Sequence, residues 1–105
     1  MDQAFLEEAI ENAEAFSAGM VDLERAPESE AASMINELFR RAHNLKGMAA
    51  MEDQPALATL AHGAEDVLSR YRDEGGRPRS DEVDALLAAA DAMEAMVQAL
   101  SLIHI

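Results

Sequence analysis

Three breaks, at Pro27, at Pro55 and across Glu74-Gly75-Gly76-Arg77-Pro78, divide the chain into four stretches. In each, apolar residues recur every three or four positions. That spacing is the period of one face of a helix, and no stretch alternates apolar and polar residues as a half-buried strand would. Each stretch therefore has one side to cover and only short connections with which to cover it. The arrangement that satisfies all four is an all-α, antiparallel up-and-down four-helix bundle.

Asp2 is placed to cap the first helix, with Glu7 and Glu8 near its positive end and Phe5, Leu6, Ala9, Ala13, Phe16, Met20 and Leu23 on its apolar face. Gly19 weakens this helix without ending it, because the period resumes at Met20. Arg25-Ala26-Pro27-Glu28-Ser29 ends it, since proline lacks an amide hydrogen and restricts the residue before it. The second helix is predicted from Ser29 or Glu30 to about Ala50. Its buried stripe is Met34, Leu38, Ala42, Leu45 and Ala49, with Ile35 and Phe39 on one flank, and His43 falls beyond that flank, exposed, in line with Phe39 and Gly47. A third helix is predicted from about Pro55 to Asp73, buried through Leu57, Leu60, Ala61, Ala64, Leu68 and Tyr71. On an adjoining face His62, Glu65 and Ser69 share one line. Ser80 or Asp81 is expected to cap the fourth helix, whose apolar set is Val83, Leu86, Leu87, Ala90, Met93, Val97 and Leu100.

A chain of 105 residues has room for one core. With 4% aromatic residues, that core must come from Ala, Leu, Met, Ile and Val, which suits packed helices. Twenty-one acidic against eight basic residues give a net charge of -13, which disfavours nucleic acid or an anionic membrane as partner and favours another protein. There is no cysteine, hence no disulfide or thiolate site, and no unbroken apolar run approaches the ~20 residues of a membrane span. These features predict a cytoplasmic domain.

Against that acidic background, Arg40-Arg41-Ala42-His43-Asn44-Leu45-Lys46-Gly47 is a cationic island, and Lys46 is the only lysine in the chain. A local positive field beside an imidazole invites an anionic group, and a phosphoryl group suits the chemistry. Neutral imidazole is a nucleophile near neutral pH, and its two nitrogens allow one to attack while the other is held. A carboxylate on the second nitrogen would fix the tautomer and support the charge that develops.

The run Phe39-Arg40-Arg41-Ala42-His43-Asn44-Leu45-Lys46-Gly47, followed on the next helix by His62-Gly63-Ala64-Glu65, resembles histidine-containing phosphotransfer domains. The likeness is to those at the amino terminus of CheA-type chemotaxis kinases, with their Phe-Arg-x-x-His-x-Leu-Lys-Gly and His-x-x-Glu pattern. The resemblance covers nearly the whole chain. It implies that His43 accepts a phosphoryl group from the ATP-binding domain of a histidine kinase and passes it to an aspartate of a response-regulator receiver. By the same resemblance His62 joins a hydrogen-bonded network with His43 and Glu65, and Lys46 neutralises phosphoryl oxygens. Gly47 leaves room for the incoming partner, which Arg40 could help to dock. The chain departs from the pattern at Asp53 and Gln54, where the resemblance expects a glycine and an aromatic residue.

The competing readings are plainer. A histidine on a helix is usually an ordinary surface residue, and His62 with Glu65 could be no more than a surface pair. The same bundle could then serve as a non-phosphorylated interaction module. A metal site would need His43, His62 and Glu65 to converge, but the Glu-x-x-His order of di-iron bundles is missing and Lys46 would oppose a cation. No Gly-x-x-x-x-Gly-Lys-Ser/Thr loop is present to hold a nucleotide, and no cofactor is implied, so the phosphate is expected from another domain, as in the acceptor segment of a longer sensor kinase. Finally, Leu100-Ser101-Leu102-Ile103-His104-Ile105 resembles the translation of a transposon-end sequencing adapter. The expectation is a domain over residues 1–99 followed by a non-native tail from a truncated reading frame, in which His104 carries no function.

Overall fold

The computed structural model describes residues 2–103. It contains four helices: α1 Gln3–Arg25, α2 Glu28–Met51, α3 Pro55–Glu74 and α4 Ser80–Ile103. Each packs against its chain neighbours, and α4 returns against α1. Along α1 and α2 the contacts run in opposite senses, Asn12 with Arg41 and then Gly19 with Leu38, and the short connections return each successive helix antiparallel to the last. It measures 42 × 21 × 20 Å, the length of its 20- to 24-residue helices with their connecting loops.

The breaks lie where the sequence puts them, and each is closed by identifiable bonds. Asp2 caps α1 by accepting the Phe5 amide at 3.0 Å. At the far end of α1, the Arg77 guanidinium, reaching over from the α3–α4 turn, donates to the carbonyls of Leu23 and Ala26. The end of α2 is a left-handed closure in which the Gln54 amide bonds Ala49 O at 2.8 Å and the Asp53 amide bonds Ala50 O at 3.3 Å. Asp53 takes the positive φ of 53° that this closure requires, a position usually held by glycine. The departure from the family pattern at Asp53 therefore keeps the turn, because a short carboxylate side chain tolerates the left-handed region better than a branched one.

Three expectations shift. On α2 the buried stripe is Ala31, Ile35, Leu38, Ala42, Leu45 and Ala49, with Met34 half-buried, so Ile35 sits at the centre and Met34 on the flank. On α3 Leu60 and Tyr71 are only half-buried, and Glu65 is enclosed in their place. At α4, Ser80 is already the first helical residue. The helix start is closed from within, with Glu82 accepting the Arg79 amide at 3.3 Å. Asn12, a residue the apolar pattern leaves out, is buried between α1 and α2. Its amide donates to Glu8 O at 2.9 Å, and its oxygen accepts from Arg41 at 3.2 Å.

Gly19 has a packing reason, since a Cβ there would lie 2.7 Å from a methyl of buried Leu38, so α1 and α2 close on each other at this point. Helix α4 is long and apolar enough by composition to cross a membrane, with a mean hydropathy of 1.5 over its best window. Leu86, Ala90, Met93 and Val97 bury its inner face in the bundle core, alongside Phe16, Met20, Ile35, Leu45 and Leu68. The helix runs unbroken through the expected boundary at residue 99 to Ile103, with Leu102 and Ile103 exposed. His104 lies outside the described residues.

Candidate functional site

Helices α2 and α3 make the most extensive contact in the bundle, and the chemically distinctive residues meet on its outer edge. Because His43 is one helical step past the buried residue Ala42, its ring leaves the core and stands mostly in solvent. Glu65 is one step past buried Ala64 on the facing helix and points into the α2–α3 seam, where it is 8% exposed. An isolated carboxylate at that depth would be costly, so its partners decide its state.

Both of its oxygens are taken. Oε2 receives the His43 Nδ1 in a short hydrogen bond, and Oε1 receives the Lys46 ammonium at 2.7 Å. Burial pushes the Glu65 carboxyl up. The hydrogen bonds and charges of Lys46 and His43 outweigh it and hold the group below its ordinary value. Glu65 is thus an anion that only accepts, so His43 Nδ1 must carry the proton and donate. In the neutral ring this bond places the proton on Nδ1 and leaves the lone pair on Nε2.

The His43 plane has a second constraint. Phe39, one turn earlier on α2, lies nearly parallel to the imidazole, with ring centroids 6.0 Å apart and an interplanar angle of 18°. The Arg72 guanidinium, from the last turn of α3, covers the Phe39 ring at 4.0 Å from its centroid. Sequence reasoning missed Arg72. Its separation of seven residues from Glu65, two turns along the same face of α3, was the available signal.

His62 lies apart from this trio. Its ring is exposed and pairs with Asp66 on its own helix at 3.5 Å, without a hydrogen bond to His43 or Glu65, because the i+4 carboxylate is nearer to hand than the enclosed one. His62, Glu65 and Asp66 offer ligand atoms within 4.8 Å of one another. Glu65 already accepts from His43 and Lys46, so a cation held by this group would have to displace the Lys46 ammonium. Arg40 is exposed and weakly paired with Glu37 at 3.9 Å, whereas Arg41 is turned inward to Glu37 and Asn12. A Cβ built on Gly47 meets nothing within 4 Å, so no contact inside the domain demands glycine there. The His43 side chain is 59% exposed beside this unobstructed position.

Comparison with known proteins gives a consistent result. The Hpt domain family matches residues 1–101. The chain is 34% identical over 96 residues to the chemotaxis protein CheA of Bacillus subtilis, covering 91% of this chain and 14% of that protein. It is likewise 34% identical over 93 residues to the sensor histidine kinase CheAY of Helicobacter pylori, covering 89% of this chain and 11% of that one. Among solved structures, the CheA phosphotransferase domain from Thermotoga maritima superposes with a TM-score of 0.80 at 32% identity, covering 93% of this chain and 91% of that domain. The chain therefore spans about a seventh or less of the length of these curated relatives, but nearly all of the solved domain.

Proposed function

Since the chain belongs to the Hpt domain family, we propose that it carries a phosphoryl group on His43 between a histidine kinase and a response regulator of a two-component system. The observation that carries this reading is the Glu65 carboxylate, which holds His43 Nδ1 and leaves Nε2 free on an open surface. The Nε2 lone pair attacks the γ-phosphorus of an ATP bound by the kinase's own nucleotide domain. An N–P bond forms, the bond from phosphorus to the bridging oxygen breaks, and ADP leaves. Nδ1 keeps its proton, so the phosphorylated ring is cationic, and Glu65 stabilises it through the bond already in place. In the second step an aspartate oxygen of a receiver domain attacks phosphorus. The N–P bond breaks and its electrons return to Nε2. Lys46, held by Glu65 one turn from His43, adds positive charge where the phosphoryl oxygens arrive.

Gly47 and exposed Arg40 flank the approach of both partners in this scheme. A cytoplasmic setting suits it, because the donor is ATP. His62 takes no direct part and tunes the local field from its pair with Asp66.

The test is incubation with the ATP-binding domain of a CheA-type kinase and labelled ATP, beside His43→Gln and a known phosphotransfer domain as control. Label is expected on the wild type and control only, stable to base and lost in acid. His43→Gln should keep the helicity and melting temperature of the wild type, because its side chain is largely exposed. A folded wild type left unlabelled while the control is labelled would favour the interaction-module reading.

A further inference from the structure

A hydrogen bond at Nδ1 fixes one atom of the imidazole, not its plane. The ring can still pivot about that contact, and the direction of the Nε2 lone pair pivots with it. For in-line attack on phosphorus that direction matters, because a misaligned nucleophile loses most of the advantage of being held in place. The ring that lies nearly parallel to the imidazole is Phe39, one turn away with centroids 6.0 Å apart. Phe39 is half-buried on the edge of α2, with one side packed against the hydrophobic core. What covers it is the guanidinium of Arg72. Arg72 is in turn steadied by the Asp73 carboxylate, 3.1 Å from its Nε.

We propose that Arg72 is a positioning residue for His43, acting through Phe39: the guanidinium pins the phenyl ring, and the phenyl ring sets the plane of the imidazole. This extends the phosphotransfer reading and rests on it for its effect on rate, though not for its effect on the ring. A bland role is available to compare against it, since a cation in the last turn of a helix stabilises that helix wherever it points. The position of Arg72 over an aromatic ring in contact with the acceptor histidine is not explained by that role. Arginine also suits the task better than lysine, because a planar guanidinium covers a ring face that a point charge only touches.

The experiment uses wild type, Arg72→Ala, Arg72→Gln, Phe39→Leu and the Phe39→Leu, Arg72→Ala double variant. Each is checked for helicity and melting temperature. Phosphorylation is followed against domain concentration with a CheA-type kinase ATP-binding domain and ATP, and the His43 ring carbon and nitrogen signals are read by NMR in the unphosphorylated protein. The expected result is a fall in kcat on the order of tenfold for either Arg72 variant, with KM little changed. The His43 ring signals should shift, and the double variant should be no slower than Phe39→Leu alone. Unmoved His43 signals in Arg72→Ala would overturn the proposal. A raised KM with unchanged kcat would also overturn it, making Arg72 a docking contact, and so would additive losses in the double variant. If the wild type takes no label at all, the phosphotransfer reading fails separately. The ring signals then decide the positioning claim, shifted signals supporting it and unmoved ones removing it.

Discussion

At the scale of single residues, Glu65 is the hinge of the site because it satisfies two donors from one enclosed position. Glu65→Ala removes the acceptor that sets the His43 tautomer and leaves Lys46 without its partner. Phosphorylation should slow by roughly tenfold to a hundredfold without stopping, the loss typical when the carboxylate partner of a metal-bound imidazole is removed. Single-turnover kinetics against the same kinase domain check this, and a wild-type rate would show that Glu65 does not orient the acceptor. The positions of His43, Lys46 and Glu65 were legible in the sequence, because an exposed helix line and an i, i+3 spacing need only the helical period. What the sequence did not disclose was how they share bonds. Lys46 was expected to face phosphoryl oxygens, yet it first holds Glu65, and His62 was expected in the network, yet it turns to Asp66. Both outcomes depend on how deep Glu65 sits in the α2–α3 seam, and that depth is a property of two packed helices rather than of either one.

At the scale of elements, the helix ends are where local chemistry decides stability. Asp53 adopts a left-handed conformation that costs a side-chain-bearing residue about 1 kcal/mol relative to glycine. Asp53→Gly should therefore raise the melting temperature by about 4 °C, measured by thermal unfolding, and a lower melting temperature would show that the aspartate side chain contributes something the turn geometry does not explain. The α3–α4 connection depends on Glu82, which accepts from the Tyr71 hydroxyl in a short bond, from Arg70 at 2.7 Å and from the Arg79 amide at 3.3 Å. The Tyr71 hydrogen bond above all, opposed by burial and reinforced by Arg70 and Arg79, lowers the Glu82 carboxyl from 4.5 to about 2. Because the folded value lies below the unfolded one, the stabilisation is fully present above about pH 4.5 and is lost as pH falls towards 2. Glu82→Gln should thus melt below the wild type at pH 7, and the gap should narrow across that window. A gap that persisted unchanged at pH 2 would place the contribution of Glu82 in packing instead of charge. The helices themselves were legible because proline and glycine punctuate them. The exact stripe on α2 was not, since Met34 and Ile35 are adjacent and equally apolar, and which of them faces the core is set by how the neighbouring helices pack.

At the scale of the whole molecule, charge and site pull in opposite directions. Folding gathers a net charge of -13 onto a body 42 Å long and about 20 Å thick, and the unfolded chain relieves that repulsion by spreading it. The ion pairs that offset it, such as Arg40 with Glu37 and Arg79 with Asp81, are largely exposed and individually contribute little. Added salt weakens both, but repulsion among so many unpaired carboxylates is the larger quantity. Raising sodium chloride from about 0.02 M to 0.5 M at pH 7 should therefore raise the melting temperature, by roughly 2–5 °C. The reaction should respond with the other sign. Lys46 and Arg40 form a small cationic face on an acidic body, and if that face guides an anionic phosphate to Nε2, the same salt should lower kcat/KM for phosphorylation while the fold grows more stable. Measuring both on one protein separates the two effects. A melting temperature that fell with salt would mean that the ion pairs outweigh the repulsion. A kcat/KM that rose with stability would mean that the body's negative field, and not the cations beside His43, governs how a phosphodonor approaches.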